Sequence, residues 1–274
     1  MPKNTWILRW AIVLQHKTQI KVLQSSFMQS AQTIKDCPPQ SCTEIAMLGR
    51  SNVGKSSIIN LLLNHKLAKS SSTPGKTKVI NFFSTTWELF AINKDSNLSS
   101  SKGVTTQHKR GTIYAKNAGE SIIQNKIDFM KKEQDLLQTE SMRIPLVFID
   151  FPGFGYAKVS KDTKRVWDKY LTDFIHKRQS IKLFCHLIDS RHTDLVIDSD
   201  IERFLQTILK IRKDCKLLQI YTKNDKLNKN DYHKLKSQNK LTISTLKKNT
   251  LDMQRIYHEI LSASLNLDYF KPSL

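Results

Sequence analysis

The sequence predicts an α/β fold, a central and mostly parallel sheet with helices on both faces. Short apolar runs alternate with amphipathic helical stretches. A glycine-bounded turn, Gly49–Gly54, falls directly between one such run and one such stretch. Parallel neighbours need crossover connections, and the crossovers place helices over the sheet.

The elements follow in chain order. Ile45–Leu48 reads as a strand ending at Gly49. A helix follows, with Ile58, Ile59, Leu62 and Leu63 on one face. Val79–Phe83 and Trp87–Ile92 each read as strand. Leu146–Ile149, Leu183–Ile188 and Leu217–Tyr221 are continuous apolar runs, the pattern of strands buried on both faces. Helical stretches are expected at Lys161–Lys177, Asp198–Lys213 and Asn228–Lys247. Leu261-Ser262-Ala263 reads as the end of a last strand-like run.

Asn93–Arg143 breaks this alternation. It begins polar and becomes amphipathic, with Ile123, Ile127, Met130 and Leu137 on one side. It reads as a long insertion between two adjacent strands. Two readings stand, a functional segment or a poorly ordered surface excursion.

The bulk numbers bound the class. A 274-residue chain with 39% hydrophobic and 25% charged residues describes a globular protein rather than a disordered one. The longest apolar candidate, Trp6–Leu14, contains Arg9 and falls far short of the ~20 residues that span a bilayer. Cys37, Cys42, Cys185 and Cys215 form no CxxC pair, so reduced thiols are expected rather than a zinc site. The net charge of +20 attracts polyanions, and nucleic acid or a ribonucleoprotein is the natural partner. Compositional drift in a Lys-, Asn- and Ile-rich chain is the competing explanation. Residues 1–35 hold no acid but carry Lys3, Arg9, Lys17, Lys21 and Lys35. A transit peptide, a dispensable bacterial extension and a misassigned start codon all fit this stretch.

Three motifs carry chemistry. Gly49-Arg50-Ser51-Asn52-Val53-Gly54-Lys55-Ser56 fits the phosphate-loop pattern G-x-x-x-x-G-K-[ST] between a strand and a helix. The glycines allow the tight turn, and inward N–H groups with the helix dipole bind anions. Lys55 is expected on the β- and γ-phosphates, with the Ser56 hydroxyl on Mg2+. Asp150-Phe151-Pro152-Gly153 follows a buried strand; Asp150 would hold Mg2+ through water, and the Gly153 N–H would meet the γ-phosphate. Thr222-Lys223-Asn224-Asp225 ends another strand. The Asp225 carboxylate can accept two hydrogen bonds from guanine, a pair adenine lacks, so GTP is expected over ATP. The Lys223 stem would lie over the base. Backbone N–H groups of Leu261, Ser262 and Ala263 are candidates for guanine O6.

With these motifs placed, the chain resembles the EngB family (also called YihA or YsxC), P-loop GTPases of the TrmE-Era-EngA-EngB-septin-like class. The resemblance rests on Phe27–Ala31, Gly49–Ser57, Ser72–Thr77, Ile80–Phe83, Asp150–Ser160, Leu187–His192 and Thr222–Leu227. It implies a P-loop GTPase domain over residues 27–270, preceded by a basic extension over 1–26 and interrupted by 93–143. It implies a first switch at Gly75, Lys76, Thr77, Lys78 and Val79, with Thr77 on Mg2+. Lys55, Thr77 and Gly153 are the expected catalytic set. Phe154 stands where related GTPases carry a water-orienting Gln, so slow hydrolysis without a partner is implied. Asn52 resembles a residue that helps bind potassium in related GTPases. The family implies GTP/GDP as ligand, Mg2+ as cofactor, and work in large ribosomal subunit assembly, cell division and septation. A cytoplasmic bacterial monomer with no membrane partner is expected, with two alternatives. One is a GTP-gated ribosome-binding module; the other is an organellar GTPase with a transit peptide. The chain departs from the family in its insertion, its long amino-terminal stretch and its short carboxyl end. There Pro272 makes a full closing helix unexpected.

Overall fold

A computed structural model describes residues 18–69, 79–91, 141–154, 161–246 and 249–266, with backbone alone at 91 and 161–168. The chain divides into two units, and the larger comprises Ile20–Glu88 and Arg143–Ser273. The smaller comprises Met1–Gln19, Leu89–Met142 and Leu274, most of which lies outside the described residues. The expected insertion falls almost wholly there, as does most of the amino-terminal extension.

The described strands are β1 (Thr18–Ala31), β2 (Thr43–Gly49), β3 (Ile80–Ala91), β4 (Met142–Asp150), β5 (Ile181–Asp189), β6 (Lys216–Thr222) and β7 (Leu241–Ile243). They form one sheet in the order β1-β3-β4-β2-β5-β6-β7. From β4 to β7 every neighbouring pair is parallel. The described helices are α1 (Lys55–Leu62), α2 (Lys161–Lys177), α3 (Val196–Ile211), α4 (Lys229–Ser237) and α5 (Thr250–Ser264).

Alternation along β2 and β4 sends side chains to opposite faces. Ala46, Leu48, Val147 and Ile149 share a core with Leu171 and Phe174 of α2 and with Ile201, Leu205 and Ile208 of α3. On the other face, the Trp87 ring lies 5.7 Å from Phe148 and 4.7 Å from Tyr257 of α5. Helices therefore cover both faces, as the sequence predicts.

Three expectations are corrected. The expected strands Val79–Phe83 and Trp87–Ile92 are joined, over the described residues, in the one strand Ile80–Ala91, because the polar residues between them alternate across the faces of β3. Thr85 there is buried and donates to the Gln24 carbonyl at 2.9 Å. Asn228–Lys247 is not a single helix: α4 ends at Ser237, and Asn239 turns the chain with φ 55 before β7. Leu261-Ser262-Ala263 is not a strand end but part of α5. The carboxyl-terminal stretch that holds Pro272 lies outside the described residues; ahead of it α5 forms because Asn249 accepts from the Leu251 N–H and Ile256, Tyr257, Ile260 and Leu261 make a buried helical stripe.

β1 has no counterpart in the predicted elements, and it runs through the boundary expected at Phe27. Its sequence is polar, and distant side chains hold it. The Gln254 amide of α5 bonds both backbone groups of Ile20, at 2.8 and 2.9 Å. Ser25 donates to the Leu63 carbonyl at 2.8 Å.

Opposite the carboxyl ends of the strands, Arg178 is buried against Glu44. Its Nε and Nη2 donate to the two carboxylate oxygens at 2.6 Å each, and Nη2 also donates to the Pro38 carbonyl at 2.9 Å. Its guanidinium carbon stands 4.7 Å from the centre of the Phe82 ring. A lysine cannot reproduce that planar fork. Arg178→Lys is expected to lower stability by about 1–2 kcal/mol, read from the urea midpoint at constant slope.

Candidate nucleotide site

The site forms at the carboxyl ends of β2, β4, β5, β6 and β7. The phosphate loop leaves β2 at Gly49 and enters α1 at Lys55. Gly54 has φ +99, a conformation an L side chain rarely adopts. Asn52 also sits in the left-handed region, with φ 62. The first turn of α1 carries no acid, which leaves its positive dipole end free for an anion. Val53 is fully buried and anchors the loop.

Asp150 ends β4 in register with Met47 of β2. Its carboxylate is paired with the Lys55 ammonium. The following residues are stitched to the phosphate loop by backbone. Phe154 N–H donates to the Gly49 carbonyl at 3.0 Å, and Ser51 N–H donates to the Phe154 carbonyl at 2.9 Å. Between them, Gly153 lies so close that an added Cβ would stand 2.9 Å from Ser51 Cα and 3.0 Å from Ser51 N. Gly153→Ala must push these two backbones apart. A loss of GTP affinity of about tenfold is expected, read by fluorescent-nucleotide titration. The Phe154 ring turns toward Phe204 of α3, at 6.5 Å between centres. An apolar ring packed there offers nothing to orient a water.

The loop after β6 is pinned to the same place. Thr222 Oγ1 donates to the Val53 carbonyl at 2.7 Å, and Lys223 Nζ donates to the Asn52 carbonyl at 2.6 Å. Lys223 adopts φ 59 and opens a short 3-10 turn, Asn224–Lys226. Asp225 accepts from the Ser244 hydroxyl at 2.6 Å, and Leu246 N–H donates to Ser244 Oγ at 3.0 Å. Ser244 follows β7 directly, which brings Ser244–Leu246 against Asp225, whereas Leu261–Ala263 lie within α5. The missed signal was the β-branched run Thr242-Ile243 after Asn239, a strand following a helix stop.

Asp189, at the end of β5, is also drawn in. Arg191 holds it with Nε at 3.0 Å and Nη2 at 2.8 Å, and Lys223 Nζ at 3.0 Å. Burial alone would raise its pKa. The Arg191 and Lys223 hydrogen bonds outweigh that and hold the carboxyl well below the usual carboxylate range.

Gly49–Ser56, Asp150–Gly153 and Thr222–Asp225 are therefore one constellation. Gly75, Lys76, Thr77 and Lys78 lie outside the described residues, as do 155–160; Val79 is half-buried just before β3. Among the described residues, no group of three His, Cys, Asp or Glu could hold a metal unaided. The Ser56 hydroxyl and the Asp150 carboxylate are hard oxygen donors, and phosphate oxygens would have to complete a magnesium shell. No helix among the described residues is long and apolar enough to cross a membrane.

Comparison with known proteins adds the family. A protein of Helicobacter hepaticus, described as a "Probable GTP-binding protein EngB", is 43% identical over 76% of this chain and 71% of its own. One of Campylobacter lari with the same description is 41% identical over 90% of this chain and 98% of its own. The chain belongs to the EngB family. A family model described as a 50S ribosome-binding GTPase also matches residues 44–223. A solved structure described as a probable GTP-binding protein EngB is similar at 16% identity and a TM-score of 0.40, covering 82% of this chain and 99% of that one. As an EngB-family GTPase, the chain binds GTP and GDP and converts the one to the other with release of phosphate.

Proposed function

We propose that this EngB-family GTPase is a slow, magnesium-dependent switch that assists assembly of the large ribosomal subunit in the bacterial cytoplasm, and through it cell division and septation. The observation that carries the switch is the backbone pairing of Phe154 with Gly49 and Ser51. An event at the γ-phosphate that moves the phosphate loop must move the segment after Gly153 with it. Magnesium, when bound, would neutralise developing phosphate charge. Ser56, Asp150 and Thr77 would hold it. Lys55 would exchange Asp150 for the phosphates, and the Gly153 N–H would face the γ-phosphate. Phe154 leaves water unpositioned, which makes unaided turnover slow and favours a partner that completes the site.

The ribosomal reading is supported by the description of the matching family model and by the +20 charge. Basic surface binds phosphate backbone with steep salt dependence. Co-sedimentation with purified large-subunit particles tests it. The complex is expected with GTP or a non-hydrolysable analogue, weaker with GDP, and lost as salt rises. Equal pelleting with and without nucleotide would overturn the switch. Fast single-turnover hydrolysis by the isolated protein would overturn the slow mechanism. If ATP competes with GTP as well as unlabelled GTP does, the assignment of base choice to Asp225 fails.

A further inference from the structure

The Asp189 carboxylate is bonded or ion-paired to Arg191, Lys223 and Arg50. It gathers cations from both sides of the site. Its side chain is 1% exposed. From the base side comes Lys223 Nζ, at 3.0 Å from Oδ2. From the phosphate side comes Arg50, whose Nη2 stands 3.4 Å from the same oxygen. Arg191 closes the far side with a two-pronged contact. Arg50 is shared in turn with Asp198 in the first turn of α3, at 3.5 Å. Three cations thus meet two carboxylates, and Asp189 is the one that Arg50 and Lys223 have in common.

The backbone around Asp189 is fixed independently. Ser190 N–H donates to the Thr222 carbonyl at 3.0 Å, and His192 N–H donates to the Asp189 carbonyl at 2.9 Å. The carboxylate is therefore a rigid post rather than a floating counter-ion. A charge-assisted hydrogen bond at such a post is stronger than a neutral one. Lys223 and Arg50 bracket the nucleotide-binding segments, so a shift of either changes the distance between base loop and phosphate loop.

We propose that Asp189 is the positioning residue that sets nucleotide affinity in this site, by holding Lys223 of the base loop and Arg50 of the phosphate loop in one register. This inference rests on the reading that GTP and GDP occupy the site. Asp189 does not reach the reacting atoms, so its effect falls on binding and not on the chemical step. The Asp189→Asn change keeps the shape and removes the charge; Arg50 retains Asp198, while Lys223 and Arg191 lose their carboxylate.

The test is steady-state hydrolysis and GDP titration with the full chain. For Asp189→Asn, the Kd for GDP and the KM for GTP are each expected to rise at least about tenfold, with kcat within about twofold. A merely structural role would lower the active fraction, reducing kcat at unchanged KM and Kd, and that result would overturn the proposal. If Asp189→Asn fails to fold, the cycle Arg50→Met, Lys223→Met and the double variant decides with Asp189 in place. Because the two cations share this carboxylate, the double variant is expected to lose about fivefold less affinity than the product of the single losses. Losses that simply multiply would overturn the proposal. A wild-type chain that bound neither GTP nor GDP would instead overturn the site reading, and this inference with it.

Discussion

Lys55→Ala is expected to lower single-turnover GTP hydrolysis by about 10²–10³-fold and to weaken GTP binding with it. Two effects act in the same direction. The variant removes the one ammonium that the phosphate-loop motif aims at the β- and γ-phosphates. It also strips Asp150 of its ion-pair partner, since Lys55 Nζ and the Asp150 carboxylate are in direct contact with side chains only 11% and 8% exposed. An uncompensated carboxylate then faces an approaching triphosphate across a short, poorly hydrated gap, where charges are weakly screened. Asp150→Asn on the Lys55→Ala background removes the second effect alone and should recover part of the binding loss. Hydrolysis by Lys55→Ala within threefold of wild type would remove Lys55 from the mechanism.

Asp225→Asn should cost GTP affinity on the order of a thousandfold while improving the relative binding of xanthosine triphosphate. Guanine presents two donors, N1–H and the exocyclic amine, and a carboxylate accepts both. An amide offers one acceptor and one donor. Xanthine, with N1–H and a carbonyl in place of the amine, matches that pair. Ser244 sharpens the expectation. Its hydroxyl donates to Oδ1 at 2.6 Å, and its oxygen already accepts from Leu246 N–H. The oxygen of the introduced amide is therefore held toward Ser244. Competition of GTP, xanthosine triphosphate and ATP for a fluorescent nucleotide reads the exchange. An unchanged order of preference would refute the role of Asp225.

Most of the nucleotide-side architecture was legible before any coordinates. Leu146–Ile149 is apolar throughout, and Leu183–Ile188 and Leu217–Tyr221 are apolar but for His186 and Gln219, because these strands are covered on both faces. Their carboxyl ends carry Asp150, Asp189 and Thr222, so reading the strands located the chemistry. The polar edge behaved differently. β1 carries Gln, Ser and Thr where a buried strand carries Val or Ile, and it is held by Gln254, Leu63 and Thr85 from elsewhere in the chain. No local pattern encodes such bonds. The last third of the domain was misread for a related reason. Leu261-Ser262-Ala263 is short and apolar enough to pass for a strand, and only its burial on one stripe of α5 makes it helical.

By itself, the sequence determined which residue types are candidates to bind phosphate, accept guanine and hold a metal, because those spacings follow from bond lengths and from the chemistry such ligands require. It also determined the family. Only the tertiary structure decided which segment backs Asp225, since Ser244 reaches it across the gap between β6 and β7. Only the tertiary structure joined Arg50 to Lys223 through Asp189. Those three residues lie on separate strand ends, far apart along the chain. Their contact follows from the parallel stacking of β2, β5 and β6, which no single segment contains.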